Sequence, residues 1–214
     1  MHKRLFTFIA VCLLGIGAAI FASPLQAQPG TEGRPIALVG GQLLDGYNAE
    51  PIHNSVVVIE GDTITAAGPR HIIKVPESAH IIDTRGKTVM PGLIDLHVHM
   101  EIIGHGDYIE YQDFLGGDRD KLRLAGEIAA KQLLRAGVTT VVDLGSTFEL
   151  LKTRDRILAG DIPGPRVLAS GPWISRMSLS GVMPEEAQLV ISSPEEAAER
   201  TIELIERGVD VVKA

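Results

Sequence analysis

The chain has 214 residues, enough for one large domain or two small ones, and its 45% hydrophobic and 22% charged residues are typical of a globular protein rather than a disordered one. A formal net charge of −7 without an evident basic patch argues against nucleic-acid binding. Aromatic residues, at 4%, are too few for a platform that stacks single-stranded bases.

The N-terminal segment predicts an export signal. His2-Lys3-Arg4 is basic, residues 5–22 are almost wholly apolar, and small residues follow as far as Ala27. We therefore expect a signal peptide over residues 1–27 and a periplasmic or secreted protein that leaves the membrane once the signal is cleaved. A membrane anchor is the alternative, because the run is about as long as a minimal spanning helix of ~17 residues, but the glycines within it favour cleavage.

The single cysteine, Cys12, lies inside this apolar run. Val11 before it is a poor fit to a lipidation signal, which needs a small residue at that place. Once the signal is removed no cysteine remains, so we expect no disulfide, and a metal site must use His, carboxylates or Lys.

The next region has a β pattern. A polar linker over residues 28–34 leads into residues 35–90, where Gly61-Asp62 is typical of a hairpin turn. Short strands are predicted at residues 36–39, 55–60, 63–67, 79–83 and 88–90. Short strands at regular spacing predict a small β-sandwich domain over residues 35–90.

From Pro91 onward, strands and helices alternate. Strands are predicted at residues 93–99, 138–143, 166–170 and 209–213, and helices at 120–136, at 147–159 and from a Ser193 cap to about 207. The alternation implies an α/β fold of parallel βαβ units. An eight-stranded barrel needs ~250 residues, so residues 91–214 predict the first half of a TIM-like (β/α)8 barrel, cut short at Ala214. An open doubly wound sheet is the alternative, but its first strand is usually followed by a Gly-rich phosphate loop.

The first of these strands ends in His97-Val98-His99 instead. Side chains of a strand alternate between faces, so Asp95, His97 and His99 are expected to share one face. Two imidazoles on one face at a strand end can bind one metal ion. Ordinary polar residues at a strand end are the alternative.

The segment Pro91-Gly92-Leu93-Ile94-Asp95-Leu96-His97-Val98-His99 resembles the first barrel strand of the amidohydrolase superfamily, in its imidazolonepropionase-like and prolidase-like branch. Matches in the same order along nearly the whole mature chain make the resemblance specific. They occur at residues 56–64, 67–68, 134–145 (LRAGVTTVVDLG), 164–171 (GPRVLASG) and 208–213 (GVDVVK).

The resemblance implies a metal-dependent hydrolase of C–N bonds, acting on a cyclic amide or an Xaa-Pro-type dipeptide through metal-activated hydroxide. It implies one or two Zn²⁺ ions or other divalent metals, with His97, His99 and Lys213, the last as a carboxylated lysine, among the metal ligands. Two further histidines and an aspartate acting as general base are expected beyond Ala214. The expected partner is a small molecule or dipeptide, and a homo-oligomer is left open.

Three candidate site residues, the metal ligand Lys213 and the substrate contacts Asp143 and His105, each have a second interpretation. Lys213 follows an apolar segment, where a free ammonium is costly to bury, yet it is also consistent with a surface lysine. Asp143 ends a predicted strand and is a candidate for substrate binding or for capping the next helix. His105 is a candidate substrate contact or a solvated loop histidine.

The pattern departs from the family at residues 173–181 (WISRMSLSG), where many relatives carry a Gly-Gly-His element that lines the substrate pocket. A specific substrate therefore does not transfer from any one relative. Two other functions stay open: a non-catalytic exported half-barrel fragment or binding module, because half a barrel leaves strand edges unpaired, and a complete periplasmic α/β binding protein.

Overall fold

The computed structural model describes residues 33–47, 50–102, 118–178 and 185–214. The chain divides into two compact units, Met1–Val89 (unit 1) and Met90–Ala214 (unit 2). The predicted signal peptide, most of the linker and His105 lie outside the described residues. Within the described ranges, no helix has the length and apolar character needed to cross a membrane.

The described part of unit 1 is built from strands, as predicted. Its main sheet has the order β4-β3-β1-β5, in which β1 runs antiparallel to β3 and parallel to β5, and β2 pairs with β6 in a second, two-stranded sheet. The strands are β1 (Ile36–Val39), β2 (Gln42–Leu43), β3 (Ser55–Glu60), β4 (Thr63–Pro69), β5 (His80–Asp83) and β6 (Thr88–Val89). The assignment of this unit as a small β-sandwich stays a prediction.

The core of unit 1 follows from strand alternation. Ala37 and Val39 of β1 are buried opposite Val58 and Val56 of β3, with which they are in direct register. These small and β-branched side chains pack closely across the pair. Gly61, at φ +61°, forms the turn between β3 and β4, as the Gly-Asp pair predicts.

Unit 2 contains the predicted parallel sheet, of order β7-β8-β9, with a helix following each of its first two strands. Strands β10 and β11 follow this sheet along the chain and form a separate two-stranded parallel sheet, which was not predicted. The elements are β7 (Leu93–Val98), α1 (Arg119–Arg135), β8 (Val138–Asp143), α2 (Glu149–Leu158), β9 (Arg166–Ala169), β10 (Trp173–Ser175), β11 (Gln188–Val190) and α3 (Pro194–Glu206).

Two of the described helices of unit 2, α1 and α3, begin at a side-chain cap. The Asp118 carboxylate accepts a hydrogen bond from Asp120 N at 3.0 Å, and the Ser193 hydroxyl accepts one from Glu196 N at 3.1 Å, with Pro194 at the first helical position as predicted. Helix α2 has Phe148 at its N-cap and no side-chain cap, although the Thr147 hydroxyl one residue earlier accepts from Glu149 N at 3.1 Å. The prediction that Asp143 caps this helix is therefore wrong.

The core of unit 2 lies between the parallel sheet and the helices α1 and α2. Apolar side chains from the sheet and from both helices form one buried cluster, which consists of Met100, Ala130, Val141, Leu150, Leu151, Val167 and Ala169. This packing holds the carboxyl ends of β7, β8 and β9 at one edge, where the predicted site residues lie.

The prediction of a fourth strand at residues 209–213 is wrong, because the structure has no strand there. The segment runs beside β9, but the Ala169 N–H is taken by the Asp210 carboxylate at 2.9 Å instead of a backbone carbonyl. Arg154 donates to the same carboxylate oxygen at 2.7 Å. A side chain thus occupies the donor that a strand ladder would use.

Candidate active site

The structure brings the two predicted imidazoles together at the end of β7. The ring centroids of His97 and His99 lie 5.2 Å apart, with their planes at 71°. His97 is exposed and His99 is half-buried. The Asp95 carboxylate accepts a hydrogen bond from His97 N at 3.1 Å and so fixes the backbone at the start of the pair.

The orientation of His99 is set by the loop after β8. Its Nδ1 lies 3.1 Å from the carbonyl oxygen of Gly145. A carbonyl can only accept, so this contact favours a proton on Nδ1, and in a neutral imidazole that leaves the lone pair on Nε2. Metal-binding histidines commonly use this arrangement, in which one ring nitrogen donates to the protein and the other is left for the ion.

Lys213 lies at the same end of the sheet. Its side chain is half-buried, and its Nζ lies 5.6 Å from the centroid of the Trp173 ring. Its carbonyl oxygen accepts a hydrogen bond from Ile174 N at 3.0 Å, which ties the segment to β10. Trp173 in turn contacts His99, edge to face, with ring centroids 5.6 Å apart.

Asp143 is fully buried at the end of β8. Its two carboxylate oxygens accept from Met100 N at 2.6 Å and from Gly145 N at 3.2 Å, so that Asp143 joins the residues after β7 to the loop after β8. Burial raises the pKa of Asp143 to about 6, although the two backbone donors act to lower it. The structure shows this side chain binding backbone, and its contact with substrate stays a prediction.

A second buried carboxylate, Glu101, was not predicted. It is 4% exposed and accepts from Thr147 N at 2.6 Å and from the Thr147 hydroxyl at 3.0 Å. Burial raises the pKa of Glu101 to about 8. The sequence signal that identifies it is an acidic residue between Met100 and Ile102, in a segment otherwise suited to the core.

The imidazoles of His97 and His99 suit a divalent metal but make up only part of the ligands that such an ion needs. Neutral imidazole suits zinc, and His99 has its Nε2 available. Among residues 33–47, 50–102, 118–178 and 185–214, no three His, Cys, Asp or Glu side chains are placed to hold an ion. In the part of the chain that is described, a third protein ligand beside His97 and His99 would therefore have to be of another type, such as Lys213.

Two curated proteins are similar to this chain. An enamidase from Eubacterium barkeri is 33% identical over 110 residues, covering 50% of this chain and 24% of the enamidase. An imidazolonepropionase from Chloroflexus aggregans is 36% identical over 94 residues, covering 42% of this chain and 22% of that protein. The chain thus spans about a quarter of the length of these relatives.

Solved structures resemble a larger share of the chain. A protein from Bifidobacterium longum that has been assigned as a prolidase matches with a TM-score of 0.65 and 28% identity, over 84% of this chain and 40% of that one. The α/β fold is therefore that of known amidohydrolase structures. The model of the Amidohydrolase family matches residues 88–214, more than half of the chain. This confirms the resemblance seen at residues 91–99: the chain belongs to the Amidohydrolase family.

Proposed function

We propose that the protein is the N-terminal part of an exported, metal-dependent amidohydrolase that hydrolyses a C–N bond in a cyclic amide or an Xaa-Pro-type dipeptide. The observation that carries this proposal is the imidazole pair His97 and His99, on the strand at which the family match begins. The names of the relatives, enamidase, imidazolonepropionase and prolidase, agree with this type of substrate.

We also propose that unit 2 is the first half of a (β/α)8 barrel and unit 1 a small β-sandwich. Strand β7 is an edge strand of the sheet β7-β8-β9, and Leu93, Ile94 and Leu96 on it are 51%, 62% and 66% exposed. Apolar side chains exposed to this degree on a strand edge are normally covered by further structure. The remaining strands and helices of a barrel would cover them.

The proposed metal is zinc, one or two ions, with other divalent ions as alternatives. When bound, such an ion lowers the pKa of water from 15.7 toward ~7 and so provides a nucleophile at neutral pH. His97 and His99 would bind it through neutral imidazole nitrogens. Lys213, as a carboxylated lysine, would provide the next ligand.

The substrate would approach at the carboxyl ends of the parallel strands. We propose His105 and Asp143 as residues near it, Asp143 through the loop whose Gly145 N–H it binds. The catalytic base is expected outside this chain, so we expect the 214-residue chain alone to hydrolyse little or nothing.

The test is substitution of the imidazole pair in the protein encoded by the complete reading frame. His97→Asn and His99→Asn should each lower the zinc content and abolish hydrolysis of cyclic amides and Xaa-Pro dipeptides. His71→Asn is the matched control, since His71 is an exposed histidine of unit 1. Zinc content and hydrolysis that are unchanged in both site variants would overturn the proposal.

A second candidate function is a non-catalytic exported half-barrel that serves as a binding module. The exposed apolar residues of β7 and the incomplete set of ligands favour it for the chain as given. We then expect the 214-residue chain to dimerise or aggregate, measured by sedimentation. A monomer with one cooperative thermal transition and stoichiometric zinc would contradict this alternative.

A further inference from the structure

Trp173 is the residue at which three segments of the candidate site meet. Its ring contacts His99 after β7 on one side, and the ammonium of Lys213 lies near the same ring, each at 5.6 Å from the ring centroid. Its indole Nε1 donates a hydrogen bond to the carbonyl of Leu144 in the loop after β8.

The loop after β8 is shaped to accept the indole. Gly145 has φ +154°, and a Cβ on this residue would lie 2.3 Å from Trp173 Nε1, closer than real contacts allow. Only glycine therefore leaves room for the ring at this place. Trp173 and Gly145 are sterically coupled.

The same glycine holds His99. The Gly145 carbonyl accepts the His99 Nδ1 proton at 3.1 Å, while the neighbouring Leu144 carbonyl accepts the indole N–H. Consecutive carbonyls thus bind the two rings that contact each other. Displacing the indole would remove one of the side-chain contacts that hold this peptide; the other is Asp143, which accepts from Gly145 N at 3.2 Å.

Trp173 also acts on the segment of Lys213. The next residue, Ile174, donates its N–H to the Lys213 carbonyl at 3.0 Å, so the strand that carries the indole also fixes the backbone of the lysine. The Lys213 ammonium lies within the range of about 6 Å at which an aromatic face attracts a cation. Ring and backbone together limit where the lysine side chain can lie.

We propose that Trp173 is a positioning residue that holds His99 in its Nδ1–H tautomer and fixes the place of Lys213 beside it. The part of this inference that concerns metal affinity rests on the proposed function. The part that concerns the His99 ring does not, since it follows from hydrogen bonds of the metal-free protein.

The first test is the tautomer of His99 in the metal-free protein encoded by the complete reading frame, read from ¹⁵N–¹H correlations of the imidazoles and assigned by loss of the signals in His99→Asn. The wild type should show Nδ1–H. Trp173→Leu should give a mixture of tautomers, and Trp173→Phe an intermediate result, because phenylalanine keeps a ring beside His99 but has no N–H for Leu144. Gly145→Ala should reproduce the effect of Trp173→Leu.

Ile174→Val is the matched control, a conservative change at the buried neighbour whose side chain points to the other face of β10, and it should leave the His99 signals unchanged. If Trp173→Leu fails to fold, Trp173→Phe decides. An unchanged tautomer in a folded Trp173 variant overturns the proposal.

The second test is zinc affinity of the same variants, measured by competition with a chromophoric chelator. Loss of a residue that orients a metal ligand typically weakens metal binding 10–100-fold, so we expect about tenfold or more for Trp173→Leu and less for Trp173→Phe. Equal zinc affinity in wild type and both variants would contradict the proposal. A wild type that binds no zinc would count against the proposed function instead, while the tautomer result still decides the role of Trp173.

Discussion

The two units bury polar groups of different kinds. Among the described residues of unit 1 the buried polar side chains are hydroxyls, such as Ser55, which donates to the carbonyl of Gly41 at 2.9 Å. Among those of unit 2 three carboxylates are buried, those of Glu101, Asp143 and Glu149. A hydroxyl is satisfied by one or two backbone groups, whereas an ionised carboxylate also loses its hydration and is costly to bury. The free-energy cost of burying carboxylates is thus concentrated at the end of the sheet that carries the imidazole pair.

The acidic residues show the same contrast in their pKa values. In unit 1, hydrogen bonds from Arg85 lower the pKa of the exposed Asp83 to about 2. In unit 2, burial raises the pKa of Asp143 to about 6 and that of Glu101 to about 8. Perturbation by burial rather than by an exposed partner is characteristic of functional sites.

The largest effect is expected from Asp143→Ala. It leaves the buried N–H groups of Met100 and Gly145 without their acceptor, and we expect the free energy of unfolding to fall by about 3 kcal/mol. Urea denaturation followed by tryptophan fluorescence measures unit 2 specifically, because the single tryptophan lies there. Asp161→Ala, at an exposed aspartate of the same unit, is the control and should change the free energy of unfolding little. A loss as large as that expected for Asp143→Ala would contradict the prediction that burial of Asp143 makes the difference.

Smaller effects on stability are expected from removing buried hydroxyls, and the effect should be larger for Thr147 of unit 2 than for Ser55 of unit 1. Thr147→Val removes both the hydrogen bond that the hydroxyl donates to Glu101 and the one that it accepts from Glu149 N at the start of α2, and should cost about 2 kcal/mol of unfolding free energy. Ser55→Ala in unit 1 removes one hydrogen bond to a neutral carbonyl and should cost about 1 kcal/mol. Circular dichroism monitors both units during denaturation. Equal costs would show that the second contact of the Thr147 hydroxyl, with Glu149 N, adds nothing.

The pH dependence should have opposite signs in the two units. Asp143 has a folded-state pKa above its ordinary value of 3.8, so its contribution to stability falls as pH rises from about 3.8 through about 6. Asp83 has a lowered pKa, so its contribution is present above pH 3.8 and is lost as pH falls through about 2. Carbon-detected NMR titration of the two carboxyl groups measures both midpoints. Midpoints that coincide would contradict the assignment of burial as the cause.

The smallest effect is expected for the exposed ion pair of unit 1. Arg85 donates to both oxygens of Asp83, but the two side chains are 79% and 53% exposed. Exposed pairs contribute little because water and salt screen them. Arg85→Ala should leave the melting temperature unchanged within error in calorimetry, and a clear loss would show that this pair matters more than its exposure indicates.

Local patterns predicted most of the elements. Short runs of apolar and β-branched residues correctly placed β3 and β7, and the Ser193-Pro194 pair correctly placed the start of α3, because these signals act over a few neighbouring residues. The pairing of β10 with β11 was not predicted. The two strands are separated along the chain, and each has only three residues, too few for a clear period.

The candidate site also has features that local sequence patterns predicted and features that they did not. The spacing His97-Val98-His99 by itself determined that two imidazoles meet, since His97 lies in β7 and His99 directly follows it, and the family follows from the segment around them. Only the tertiary structure decided what holds them: the Gly145 carbonyl at His99, the indole of Trp173 between His99 and Lys213, and the burial of Asp143 and Glu101. These contacts join residues about 40 to 75 positions or more apart in the chain, and a local pattern carries no information about such distances. The fold brings these distant residues together, because parallel strands place their carboxyl ends, and the loops that follow them, at one edge of the sheet.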